Sequence, residues 1–119
     1  MQRSRCLFEP LSLGDITLAN RIAVSPMCQY SAEDGAANDW HLQHLGSLSL
    51  SGAALVIVEH TAVEPAGRNS HGCLGLYSNA NEAALARVVG FCRRPALGLE
   101  RSASPLPKFQ RRSRLIAGF

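Results

Sequence analysis

The chain has 119 residues, of which 46% are apolar and 18% are charged. This length suits one small domain with a core and excludes a complete (β/α)8 barrel, which needs roughly 250 residues. The longest apolar run, residues 53–58, is far too short to span a membrane. No apolar leader follows the basic N-terminus, so we expect a cytoplasmic protein without a membrane partner.

The net charge of +3 is concentrated in the last part of the chain. Residues 95–119 carry five basic side chains and one acid, Glu100, whereas acids slightly outnumber basic residues before position 95. This tail is rich in Ser, Pro and Arg without a helical or strand period, which predicts disorder. A basic tail can bind an anionic partner, but the lack of an amphipathic stripe or a repeated basic pattern argues against nucleic acid.

A hairpin and a strand are the first predicted elements. Two extended segments, residues 7–13 and 16–18, flank Gly14 and Asp15, which is typical of an antiparallel hairpin. Residues 21–24 are then predicted to form the first strand in the body of the fold.

Cys28 and Tyr30 follow directly after this strand. A thiol and a phenol at the carboxyl end of a strand lie where α/β proteins usually build their sites. From spacing alone, a buried apolar role for Cys28 and a half-buried aromatic role for Tyr30 are the commoner alternatives.

A helix and a second strand come next. After a turn at Asp34 and Gly35, either Asn38 or Asp39 can cap a helix. Three leucines recur on one face of this helix: Leu42, Leu45 and Leu48. The continuous apolar run of residues 53–58 is typical of a strand covered on both faces, which favours a parallel sheet.

A loop and a second helix complete the regular pattern. Residues 64–78 predict a glycine-containing loop, and Asn79 with Glu82 predicts a capping box for the helix that follows. Four residues give that helix an apolar stripe: Leu85, Val88, Val89 and Cys92. The order strand, helix, strand, helix predicts a parallel α/β fold.

Three histidines and one carboxylate are further candidates for chemistry. His41 and His44 lie three residues apart and, with His60, could hold a metal ion, although the spacing matches no recognisable metal motif. The commoner alternative for the first two is an ordinary place in a helix. His60 could contact a ligand or close a loop hydrogen bond. Glu59 could act as a base or pair with Arg68.

Taken together, these residues resemble the N-terminal part of the Old Yellow Enzyme family, in the branch that has a cysteine near the flavin. The resemblance is dense over residues 7–94, and its motifs follow the family's order and spacing. The matching segments are Leu7-Phe8-Glu9-Pro10, Asn20-Arg21-Ile22, Ser25-Pro26-Met27-Cys28-Gln29-Tyr30, Asn38-Asp39-Trp40-His41, Val58-Glu59-His60-Thr61-Ala62-Val63, Gly67-Arg68 and Gly72-Cys73-Leu74-Gly75.

The resemblance implies an α/β fold that is the N-terminal portion of a truncated TIM (β/α)8 barrel, namely the hairpin and the first two β/α units. Members of the family hold FMN at the carboxyl-terminal mouth of the barrel. They transfer a hydride from NAD(P)H through the flavin to an activated alkene. The implied partners are therefore FMN, a nicotinamide cofactor and a small alkene, and the intact parent is expected to be a homo-oligomer.

The resemblance also assigns roles to individual residues. Cofactor binding falls on the first-strand loop, at Ser25, Pro26, Met27 and Cys28, with the thiol of Cys28 tuning the flavin potential. Tyr30 contributes to the substrate pocket and is the expected catalytic residue. His60 lies beside the flavin, at a position where many relatives have a small residue. No metal is implied.

The resemblance ends near Arg94. The family's third-strand glutamine, its substrate-binding histidine pair and its flavin-neutralising arginine do not follow. We therefore expect residues 1–94 to be a partial barrel domain and residues 95–119 to be the product of a reading-frame shift or a truncated gene.

Such a fragment is predicted to be marginally stable, to retain neither FMN nor NAD(P)H, and to reduce no alkene alone. The alternative is a small non-enzymatic interaction protein that binds an anionic partner through its basic tail.

Overall fold

The computed structural model describes residues 6–93 of the chain. The basic tail and Arg94 lie outside the described residues. The elements are β1 (Leu11–Leu13), β2 (Ile16–Leu18), β3 (Ala23–Val24), α1 (Asp39–Ser49), β4 (Leu55–Val56), β5 (Thr61–Ala62), β6 (Leu74–Gly75) and α2 (Asn79–Cys92). No helix in residues 6–93 is both long and apolar enough to cross a membrane.

β1 and β2 form the predicted antiparallel hairpin, in which Leu11 lies opposite Leu18. Gly14 at its turn has a φ of 56°, a left-handed conformation that glycine adopts without a steric penalty. The expectation of an extended segment from residue 7 is wrong at its start. Cys6–Phe8 forms a 3-10 turn, because the N–H of Glu9 bonds back to the first carbonyl of that turn at 3.3 Å.

β3 and β4 form the predicted parallel pair, with α1 in the crossover between them. Val24 lies opposite Val56, and the N–H of Ile57 donates to the carbonyl of Val24 at 3.1 Å. Asn20 fixes the entry to the pair, since its Oδ1 accepts from the N–H of Ala54 at 3.2 Å. β4 is shorter than the apolar run of residues 53–58 from which it is predicted.

β5 and β6 form a second parallel pair that corrects the prediction of a loop over residues 64–78. Thr61 lies opposite Leu74, and the N–H of Leu76 donates to the carbonyl of Ala62 at 2.8 Å. A strand of two residues has no alternation to detect, so periodicity could not reveal it.

The turn at Asp34 and Gly35 is confirmed. Both residues have positive φ, 47° and 78°, and the flanking Glu33 and Ala36 exchange both backbone hydrogen bonds. This is a two-residue hairpin turn of the kind that needs left-handed backbone at both central positions. It lies in the loop between β3 and α1.

The helix caps agree with the sequence for α1 and correct it for α2. Asn38 caps α1: its Oδ1 accepts from the N–H of Trp40, and its own N–H donates to Nδ1 of His41. α2 is capped by Ser78, whose hydroxyl accepts from the N–H of Asn81 at 3.1 Å, so the capping box predicted from Asn79 is wrong by one residue. Serine caps a helix about as well as asparagine, so residue type alone does not decide between Ser78 and Asn79.

The core lies where α1 and α2 pack together and against the strands. Its buried apolar residues include all four of the predicted α2 stripe, together with Leu45, Val56, Val58 and Leu74. Close approach of the helices depends on Gly46, where a Cβ would lie 2.8 Å from the ring of Phe91. Each sheet in the described residues has two strands, so the structure is an open α/β unit and not a closed barrel within residues 6–93.

Candidate functional site

The site lies where β3 and β4 end. Because these strands are parallel and in register, the segments that follow them, residues 25–30 and 57–60, leave the sheet at the same edge. They are joined by a hydrogen bond from the N–H of Gln29 to Oε2 of Glu59 at 3.2 Å. The sequence-predicted residues therefore share one end of the sheet, as sites in α/β proteins do.

The predicted cofactor-binding loop is open to solvent. Ser25, Pro26 and Met27 are exposed, and Cys28 is half-buried. Within residues 6–93, the backbone N–H groups of Met27 and Cys28 have no hydrogen-bond partner. Free backbone donors beside an exposed Met27 side chain fit a planar group rimmed with carbonyls and ring nitrogens, as FMN is. The residues present therefore fit the cofactor that the resemblance implies.

Tyr30 points away from the core, and its side chain is 62% exposed. The half-buried alternative for this phenol is therefore wrong for residues 6–93. Tyr30 has a φ of 52°, an uncommon conformation for a residue with a side chain. Gly72 packs so closely on the Tyr30 carbonyl that a Cβ at position 72 would clash with it, so glycine is required there.

Glu59 is a buried carboxylate, with 7% of its surface exposed. Its Oε1 lies 3.5 Å from Nε2 of His41, which is itself fully buried. The alternative that pairs Glu59 with Arg68 is wrong. Arg68 instead approaches Asp34, with 3.5 Å between Nη1 and Oδ1.

His41 contacts the cap of α1 with one ring nitrogen and approaches the buried carboxylate of Glu59 with the other. Asn38 donates its N–H to Nδ1 of His41 at 3.2 Å, while Nε2 at the other side of the ring lies 3.5 Å from Oε1 of Glu59. In the described part of the chain, no group of three or more His, Cys, Asp and Glu side chains is arranged to hold a metal ion. The geometry therefore does not unite His41, His44 and His60.

His60 is exposed at the end of the β4 segment. Its Nε2 lies 3.3 Å from the carbonyl of Gly67, which is the loop hydrogen bond that the sequence left open as an alternative. The ring stays accessible at the same edge of the sheet as the first-strand loop.

Two residues that the sequence did not single out, Gln29 and Trp40, complete the site. Nε1 of Trp40 donates to Oε1 of Gln29 at 3.0 Å. Nε2 of Gln29 donates to the carbonyl of Met27 at 2.9 Å. The sequence pattern gives no reason to select Gln29, which lies between Cys28 and Tyr30. Its hydrogen bond to Trp40 depends on how α1 packs, and no local pattern predicts that.

A second polar cluster surrounds Cys73. Burial raises the pKa of this thiol, but hydrogen bonds from the side chain and backbone of Ser70 and from the backbone of Asn69 together outweigh it and hold the pKa below its ordinary value of 9.0. The N–H of Ser70 donates to the sulfur at 3.3 Å. Because the sulfur is fully buried, this perturbation concerns stability and not reactivity with solutes.

The amino-acid sequence matches the model of one protein family, described as "NADH:flavin oxidoreductase / NADH oxidase family", over residues 6–91. The chain is 48% identical over 86 residues to an NADPH dehydrogenase of Listeria monocytogenes, covering 71% of this chain and 25% of the relative. It is 41% identical over 85 residues to an NADH:flavin oxidoreductase of Gibberella zeae, covering 71% of this chain and 21% of the relative. The chain thus spans about a quarter of the length of these relatives.

Solved structures agree with the sequence match. Morphinone reductase superposes with a TM-score of 0.66 at 29% identity, over 72% of this chain and 22% of that one. The old yellow enzyme of Trypanosoma cruzi superposes with a TM-score of 0.64 at 30% identity, over 73% of this chain and 23% of that one. The chain therefore belongs to the NADH:flavin oxidoreductase / NADH oxidase family, which includes the old yellow enzymes, as a segment corresponding to part of one member.

Proposed function

We propose that this chain supplies the FMN-facing first quarter of an NAD(P)H-dependent ene-reductase. The observation that carries the proposal is the open loop at the end of β3. Met27 and Cys28 present free backbone N–H groups there, in a motif that lies within the family match. Donors of this kind can hold the carbonyl and nitrogen edge of a flavin ring.

The residues that follow β3 and β4 are proposed to bind different parts of FMN. Ser25, Pro26, Met27 and Cys28 would contact FMN, and the half-buried Cys28 would place its thiol beside it. His60 flanks the same group from the neighbouring strand, where its exposed ring can pack against the edge of the flavin. When bound, FMN supplies the chemistry, by accepting a hydride from NAD(P)H and passing it to an activated alkene.

Tyr30 serves the substrate. Its exposed phenol projects from the loop whose backbone would face the cofactor, so its O–H could donate a hydrogen bond to the electron-withdrawing group, such as a carbonyl oxygen, of an activated alkene. The left-handed backbone of Tyr30, held against Gly72, keeps the ring on the solvent side of the loop.

Substrate activation also needs groups that residues 6–93 do not provide. The resemblance assigns carbonyl binding to a later histidine pair and stabilisation of the reduced flavin to a later arginine. We therefore propose that the 119-residue chain alone retains no stoichiometric flavin and reduces no alkene.

A chimera tests the function independently of the chain's own stability. Residues 6–91 replace the corresponding segment of the Listeria monocytogenes NADPH dehydrogenase, to which this chain is 48% identical over 86 residues. The expected chimera oxidises NADPH with an α,β-unsaturated ketone as acceptor, and Cys28→Ala changes its flavin reduction potential. A folded chimera that binds no flavin would refute the proposal.

A further inference from the structure

Gln29 makes hydrogen bonds to three separate parts of the site. Its N–H donates to the buried Glu59 at 3.2 Å, its Nε2 donates to the carbonyl of Met27 at 2.9 Å, and its Oε1 accepts from Nε1 of Trp40 at 3.0 Å. Gln29 thus connects three parts of the site: the backbone of its own loop at Met27, the segment after β4 at Glu59, and the start of α1 at Trp40.

The side-chain contacts require an amide. A terminal carbonyl is needed to accept from Trp40, and a terminal NH₂ is needed to donate to the carbonyl of Met27. Glutamate can satisfy Trp40 but would set a carboxylate against that carbonyl. Methionine has a similar length and can form neither bond.

The orientation of the Met27 carbonyl determines the direction of a neighbouring N–H donor. It belongs to the peptide unit whose N–H is that of Cys28, because the carbonyl of one residue and the N–H of the next share a plane. Fixing the carbonyl with Gln29 therefore fixes the direction of the Cys28 N–H, one of the free donors.

The anchors for Gln29 are themselves held. Glu59 is buried and faces the fully buried His41. Trp40 starts α1 beside the capping residue Asn38, which binds its N–H at 3.1 Å. The loop is therefore fixed by hydrogen bonds to the end of the sheet, at Glu59, and to the capped helix α1, at Trp40.

We propose that Gln29 is a positioning residue that sets the orientation of the Met27–Cys28 peptide. Its amide holds the Met27 carbonyl and is itself held by Trp40. That this orientation helps to bind flavin rests on the proposed function. That Gln29 couples the loop to Trp40 does not depend on the proposed function.

The test uses the 119-residue chain, because Trp40 is its single tryptophan and the tryptophan fluorescence therefore comes from this ring alone. The variants are Gln29→Met, which removes both side-chain bonds, and Gln29→Glu, which keeps the acceptor for Trp40. The control is Gln43→Ala on an exposed position of α1. The measurements are acrylamide quenching of Trp40 and hydrogen exchange of the backbone amide at position 29.

In Gln29→Met, quenching of Trp40 rises, and exchange at position 29 accelerates by about two- to tenfold for each hydrogen bond whose loss loosens the loop. In Gln29→Glu, quenching stays at the wild-type level while exchange still accelerates. In both, exchange of the core amide of Val88 accelerates less than exchange at position 29, which separates positioning from general destabilisation. The control changes neither measurement.

Equal behaviour of Gln29→Met and Gln43→Ala would overturn the proposal. So would wild-type Trp40 quenching equal to that of free tryptophan, because the contact would then not form in the chain. The chimera described above separates this inference from the function. Failure to bind FMN there contradicts the proposed function, while the two measurements at Trp40 and position 29 still decide the role of Gln29.

Discussion

At the scale of single residues, the site is built from backbone groups and buried polar contacts. Cys28 and Tyr30 are conspicuous in the sequence, and their place at a strand end follows from the apolar run before them. The contacts of Gln29, Glu59 and Trp40 could not be derived in this way. They depend on how α1 packs across the sheet, which no local pattern encodes.

Tyr30 can be tested in the chimera. We expect Tyr30→Phe to lower kcat/KM for the alkene about tenfold or more, since one donated hydrogen bond in the transition state is removed. The flavin content should not change, because the phenol is exposed and supports no described contact. Tyr77→Phe is the matched control: its hydroxyl is buried and has no partner within residues 6–93. Equal losses in the two variants would contradict a substrate role for Tyr30.

Cys73 makes stability depend on pH. Its folded-state pKa is below the ordinary value of 9.0, so between these two values the unfolded state holds a proton that the folded state has lost. Stability should therefore rise with pH across this window, stay at its highest level above it, and fall as the pH drops through the folded-state pKa. Urea unfolding of the chimera at pH 7 and pH 9.5 should show the rise, whereas the chimera carrying Cys73→Ala should not. The same rise in both would show that another group is responsible.

At the scale of elements, periodicity predicts the helices well and the short strands poorly. The apolar stripe of α2 is buried as expected, whereas β5 and β6, with two residues each, leave no pattern. The cap of α2 moves by one residue because Ser78 and Asn79 are both good caps, and only the fold chooses between them.

The core under α2 is predicted to carry the stability of the described unit. Leu85→Ala removes a side chain that is 1% exposed and should cost about 2–5 kcal/mol, because a cavity is left between the helices. The control is the same change at Leu50, which is 68% exposed and should shift stability by less than about 0.5 kcal/mol. Urea titration of the chimera, followed by circular dichroism, measures both. Similar shifts would mean that the two helices do not pack as described.

At the scale of the whole molecule, the described part is an open α/β unit whose strands have unpaired edges. Several large apolar side chains are exposed, among them Phe8, Leu13 and Ile16 on or near the hairpin. Relatives four times as long have further chain available to cover such surfaces. The family could be predicted from the motifs, whereas the open sheets follow from the strands that pair within residues 6–93.

The isolated chain is therefore expected to unfold at low urea with a broad transition. Exposed apolar surface and unpaired strand edges lower the free energy of unfolding below that of a closed domain of similar size. Dye binding to exposed apolar surface should already be strong without urea. A sharp, cooperative transition with hydrogen-exchange protection in β3 and β4 would contradict this expectation.

The most direct test of the central claim is the ratio of flavin to protein in the purified chimera, read from its visible absorption spectrum. We predict one FMN for each polypeptide, because residues 25–28 then meet the remainder of a flavin site. A folded, colourless chimera would contradict the claim, since the loop at the end of β3 would then be unable to face the cofactor.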